Sequence, residues 1–128
     1  MTVNYESFAE FAAGLLASER EIDWRMSAGR AYYASFHRAS SSVKFCPDNS
    51  AYAMGSHTRV TDRLIMHGAK QAKSIAYVLQ AMKKVRHSAD YELKGNWNVC
   101  NAVNQLAQHK VVVQRLDAFD ASEGEKIA

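Results

Sequence analysis

Proline is nearly absent: Pro47 is the only one in 128 residues, and the six glycines are scattered rather than clustered. With so few turn formers, and with apolar positions recurring at a period near 3.6, the chain reads as all-α, and strands find little support. Cysteine is scarce too. Cys46 and Cys100 have no paired spacing, which argues against a disulfide scaffold and leaves only a single bridge open. Long apolar runs are missing: none approaches the roughly 20 residues needed to cross a bilayer, and no hydrophobic signal segment opens the chain. These absences predict a cytoplasmic protein that makes no use of a membrane. Neither sign of charge dominates. Sixteen Lys and Arg against thirteen Asp and Glu leave +3 with neutral histidines, compatible with a local phosphate site but far from the footprint of a general nucleic-acid binder.

A composition of 48% hydrophobic and 23% charged residues suits one domain, expected over residues 1–120, with residues 121–128 as a frayed tail. A first helix is predicted from Tyr5 to Ser18, burying Phe8, Phe11, Ala12 and Leu15, with Asn4 or Thr2 as its cap. A longer second helix runs from Ile22 to Val43. Its positions Ile22, Met26, Gly29, Tyr33, Phe36, Ser40 and Val43 alternate spacings of four and three, the seam of a helix packed lengthwise on partners, and Gly29 and Ser40 suit close approach. The run from Cys46 to Ser56 reads as a loop, with Ser56 capping a short helix that ends near Gly68 and points Val60 and Leu64 inward. A fourth helix covers Ala69 to Leu93 and stops at Gly95. A fifth, from Trp97 to Phe119, uses Val99, Ala102, Leu106, Val113 and Leu116. Short connections then predict an up-down bundle of four main helices plus one short helix, in which the second and fourth meet.

The stretch Arg86-His87-Ser88-Ala89-Asp90-Tyr91 carries the most chemistry. The apolar stripe Ala72, Ile75, Leu79 and Met82 steps by helical spacing onto Arg86 and Ala89, so the arginine continues a core-facing row. A charge there needs a neutralising carboxylate, with Asp90 one turn on as the nearest, or it points into a cleft that holds an anion. Both readings stay open.

Ser27-Ala28-Gly29-Arg30-Ala31-Tyr32-Tyr33-Ala34-Ser35-Phe36-His37 resembles the Arg-Ala-Tyr-Tyr-Ala-x-Phe-His signature of small stand-alone HEPN-domain proteins. The Arg86 element resembles their Arg-x-x-Ala-Asp-Tyr, and Ser56-His57 after the loop also fits. The resemblance implies a helical bundle that dimerises. It further implies a metal-independent endoribonuclease, or a nucleotide- or RNA-binding module, of the kind found as the toxin or effector half of toxin-antitoxin and phage-defence pairs. A small nucleotidyltransferase is a frequent partner. The chain departs from the catalytic pattern at one point: a histidine five to seven positions beyond the arginine is missing, and Tyr91, Glu92 and Leu93 stand there. A phenol with an ordinary pKa near 10 is a poor base at neutral pH.

The candidate site is therefore Arg86, His87, Asp90, Tyr91 and His37, the last brought near by antiparallel packing of the second helix on the fourth. His37 also reads as a half-buried histidine satisfied by backbone or Asp90. Tyr32, Tyr33 and Phe36 read most simply as core and interface aromatics. Lys83, Lys84, Arg59 and Arg63 read as solvated surface or as phosphate contacts. The five histidines are scattered and Glu-x-x-His is absent, so no metal site is expected, and no Gly-rich loop calls for a cofactor. Two functions follow from these expectations: a dimeric RNA- or nucleotide-binding effector, or a non-catalytic assembly partner of a nucleotidyltransferase.

Overall fold

The computed structural model describes residues 2–127. Five helices make up the fold: α1 (Tyr5–Gly14), α2 (Glu21–Ser40), α3 (Ser56–His67), α4 (Lys70–Tyr91) and α5 (Val99–Ile127). Single 3-10 turns, Leu15–Ala17 and Val43–Phe45, follow α1 and α2. The described residues contain no strand, and none of the helices is long and apolar enough to cross a membrane.

Asn4 caps α1 through a reciprocal pair, its side chain accepting from the Ser7 amide and the Ser7 hydroxyl accepting from its own amide. The helix closes at Gly14, earlier than the predicted Ser18, and Phe11 is 56% exposed rather than buried. Gly55, not Ser56, occupies the cap position of α3, and Gly68 ends that helix at φ +89, a left-handed conformation that favours glycine. Glu92 rather than Gly95 follows the last turn of α4. Trp97 is buried ahead of α5 rather than inside it, and Asn98 accepts from the Cys100 amide at the helix entry. The expected frayed tail is helical through Ile127, and its Glu123 is buried against His67 on α3; Ala128 lies outside the described residues.

Helix α2 is the spine, packed on α1, α4 and α5. Contacts fix the directions. Ser27 donates to the Ala12 carbonyl while Phe8 meets Tyr33 and His37, so α1 runs against α2. Arg25 reaches Ala89 and Tyr33 reaches Arg86, so α4 is antiparallel to it as well. Ser35 pairs with His109, and Arg38 with Asp117 and Asp120, which sets α5 parallel. The buried face of α2 is built from Ser27, Ala28, Gly29, Ala31, Ala34, Ser35 and Ala39 plus Tyr32, Arg25 and Arg38. Small side chains let three helices approach one axis. Ile22 and Met26, read as seam residues, lie exposed, as does Ser40.

The main core gathers Tyr32, Leu64, Ile75, Leu79, Met82, Val112, Leu116 and Phe119 from α2, α3, α4 and α5. Burying such side chains contributes roughly 1.5–3 kcal/mol each relative to exposure. Gln105, buried at the triple contact, donates to the Met82 carbonyl at 2.9 Å and the Ala28 carbonyl at 3.4 Å, joining α5 to α4 and α2.

The segment between α2 and α3 is stitched down by polar contacts. Arg59 donates to the Asn49 and Tyr52 carbonyls at 2.6 and 3.0 Å, and Arg63 to the Pro47 and Cys46 carbonyls, both at 3.0 Å. The buried Asn49 amide donates in return to the Arg59 carbonyl and the Asp62 carboxylate. These two arginines are thus spent on loop backbone, which neither sequence reading anticipated.

Candidate functional site

The α2–α4 contact carries two guanidinium groups. Arg25 enters from the first turns of α2, where its Nε meets Glu21 at 3.1 Å. Its two amino groups donate to the Ala89 carbonyl at 2.9 Å, Ser88 at 3.3 Å, Glu92 at 3.1 Å and Gly95 at 3.4 Å. The Trp97 ring lies beneath it, 5.4 Å from the guanidinium carbon. The last carbonyls of a helix lack intrahelical partners and form the negative end of its dipole, so this cation completes the C-terminus of α4.

Arg86 sits about one turn further along the same contact, beside Gly29, and is half-buried. A Cβ added to Gly29 would meet its Cγ at 3.8 Å, an ordinary contact, so the approach does not depend on glycine. Its only side-chain hydrogen bond among the described residues runs from Nη1 to the Tyr33 hydroxyl at 3.1 Å. Its guanidinium carbon lies 5.5 Å from the Tyr32 ring centre and 5.6 Å from that of Tyr33. The buried Nε has no partner, and among the described residues no carboxylate lies within ion-pair distance. The expected ion pair with Asp90 does not form: the longer arginine turns inward to the tyrosines while Asp90 stays exposed on α4.

His57, in the first turn of α3, faces the same two rings, 5.4 Å from Tyr32 and 5.7 Å from Tyr33, and stacks on Phe36 at 4.0 Å. Its Nδ1 is 2.7 Å from the Tyr32 hydroxyl. The contact accommodates either proton placement, the phenol donating to Nδ1 or Nδ1–H donating to the phenol oxygen. Burial pushes the Tyr32 hydroxyl up to about 12, with Arg86 opposing and Tyr33 adding to the rise. Burial also lowers the pKa of His57 below its usual 6.5, helped by the positive fields of Arg86, Lys83 and His37. At neutral pH the pair is a protonated phenol against an uncharged imidazole.

A cavity of ≈ 410 Å³ opens between α3 and α4, lined by Thr58, Thr61, Gln80, Lys83, Lys84, Arg86 and His87; of the cluster only Arg86 reaches it. Two lysines and an arginine face it with hydroxyl and amide donors and no carboxylate, a lining suited to an anion.

Of the residues singled out from sequence, Arg86 and His87 line this cavity. Tyr91 is 68% exposed and lies against the His87 ring at 4.7 Å. His37 is exposed rather than half-buried, its ring against Phe8 at 5.1 Å and Phe36 at 5.3 Å, and it reaches neither Arg86 nor Asp90 by a hydrogen bond. The imidazole that meets the arginine's aromatic platform is His57, whose sequence signal is the Ser56-His57 pair after the loop. Among the described residues no group of three His, Cys, Asp or Glu side chains could hold a metal ion. No family model matches the chain, and neither does any curated protein or solved structure.

Proposed function

We propose that the protein is a HEPN-type, dimeric RNA- or nucleotide-binding module whose phosphate contact is Arg86, supported by Lys83, Lys84 and His87. The observation that carries this reading is a cavity faced by three cations and no acid, around a guanidinium whose own chain supplies one neutral hydrogen bond. A phosphodiester oxygen accepts from such a fork in a way that a hydroxyl cannot replace. Two copies related by a two-fold axis would double the basic surface into one cleft, giving the symmetric site that the sequence resemblance implies.

Fluorescence anisotropy with a short labelled single-stranded RNA, measured over a salt series, tests the reading. Wild-type protein binds with an affinity that falls linearly with salt on logarithmic axes; each of Lys83→Ala and Lys84→Ala reduces the slope by about 1. Arg86→Ala loses most of the affinity. Unchanged affinity in Arg86→Ala, or no binding by wild type at micromolar protein, rejects the assignment. The second reading, an assembly partner of a nucleotidyltransferase, draws on the exposed apolar residues Val3, Phe11, Ile22 and Met26, and gains if RNA binding fails.

A further inference from the structure

We infer that a cavity between α1 and α5 is a second binding site, and that its ligand is a small zwitterion, a free α-amino acid with an apolar side chain. This cavity shares no lining residue with the cationic one between α3 and α4. Its volume is ≈ 450 Å³, and the two helices bring opposite chemistry to it. Helix α1 contributes the carboxylates of Glu6 and Glu10, and α5 contributes His109 and Lys110.

The buried imidazole fixes one end of the ligand. His109 is 5% exposed, and its Nδ1 lies 2.8 Å from the hydroxyl of Ser35, which is fully buried on α2. That contact is the only side-chain hydrogen bond of Ser35 among the described residues, so its proton has no acceptor other than Nδ1. The hydroxyl therefore donates, and the one proton of the neutral ring sits on Nε2. Burial, with the field of Lys110 acting the same way, holds His109 below its ordinary 6.5, so the neutral ring is the form present at pH 7. The ring has no second hydrogen bond among the described residues, and Nε2 is open rather than sealed. A buried side chain thus presents an unused donor to the cavity it lines, where an acceptor from outside completes it.

Charge supplies the rest of the pattern. Glu6 and Glu10 stand one turn apart on α1, both exposed, and neither they nor Lys110 enter an ion pair among the described residues. Like charges at that spacing repel, and a cation held by both removes the repulsion. An ammonium group suits the carboxylates of α1, while a carboxylate suits Nε2–H and Lys110 on α5. The Tyr5 ring, 6.2 Å from that of His109, and Val113 add apolar surface for a side chain. A phosphate would meet the two glutamates, and a polyamine would meet Lys110. Only a molecule carrying both signs uses the whole lining.

The test titrates the full chain with L-leucine and with L-phenylalanine by isothermal titration calorimetry, while NMR follows the His109 ring. Binding of at least one of them is expected, with a rise in the His109 titration midpoint, because a carboxylate beside Nε2–H favours the charged ring. The N-acetyl derivative of that amino acid, which lacks the ammonium, and its carboxamide, which lacks the carboxylate, should bind about tenfold more weakly or worse. Glu10→Gln and Lys110→Met alter exposed side chains with no ion-pair partner, so both variants should fold as wild type does, and each should weaken binding by a similar factor. Four results would each overturn the inference: no binding of either amino acid up to about 10 mM, equal affinity for the blocked derivatives, wild-type affinity in both variants, or binding that leaves the His109 midpoint unmoved.

Discussion

Arg25 and Arg86 stand about one helical turn apart on the same contact between α2 and α4, yet the fold treats them in opposite ways. Arg25 is 3% exposed and saturated by a carboxylate, four backbone carbonyls and an indole face. Arg86 has one phenol and two ring faces. A guanidinium offers five donors, so Arg25 has its valence filled by its own chain while Arg86 retains capacity for an external acceptor. Arginine burial alone does not separate structural from functional roles. The inventory of acceptors around each group does.

The comparison is broken most forcefully at Arg25. Arg25→Ala strips acceptors at the end of α4 of their donor and leaves Glu21 without its partner. Urea denaturation is expected to show a loss of about 3 kcal/mol or more, since groups left unsatisfied in the interior cost about 1–3 kcal/mol each. A loss under about 1 kcal/mol would mean that water replaces the arginine freely.

An intermediate effect is expected from acid. His57 and His109 are both held below the ordinary 6.5, chiefly by burial, with Arg86, Lys83 and His37 acting on the first and Lys110 on the second. Below about pH 6.5 the unfolded chain then binds more protons than the folded one, so stability falls as pH drops through that range. The window lies above the carboxylates Asp23 and Glu123, whose pKa values are lowered in the fold from 3.8 and 4.5. Denaturation midpoints measured between pH 7.5 and 5 should decline in wild type and decline less in His57→Asn. Equal slopes would show that the ring near Arg86 titrates as it does in the unfolded chain.

The smallest change in stability sharpens the contrast. Arg86→Met keeps the length of the side chain and removes a charge that has no carboxylate partner, so unfolding free energy should stay within about 1 kcal/mol of wild type. A loss near that of Arg25→Ala would make Arg86 a second architectural cation.

Much of the bundle was legible in the spacing of large apolar residues. On α4 the stripe Ala72, Ile75, Leu79 and Met82 is buried as its period requires, and the same period places Arg86 on the inner row. Helix α2 was misread for a physical reason. Its inner face is serine, alanine and glycine, so a pattern weighted by hydrophobicity selects Ile22 and Met26, which lie outside. The C-terminal segment looked frayed because its residues are polar; what holds it is the pairing of Glu123 with His67, a tie between distant parts of the chain. The site was half legible for the same cause. Arg86 declares itself locally, but Tyr33 lies 53 positions away and only the packed helices join them.

The ordered crossing from α2 to α3 has an effect on inheritance and engineering alike. Because Asn49 grips the Arg59 carbonyl and Arg59 grips the Asn49 carbonyl, the length of that crossing and the rotation of α3 are locked to each other. One extra residue inserted between His57 and Arg59 would turn His57 by about 100° relative to the clasp. Arg63 extends the lock back to the Cys46 and Pro47 carbonyls, so a library built on this crossing should hold the spacing from Cys46 to Arg63 fixed to keep the imidazole on its phenol.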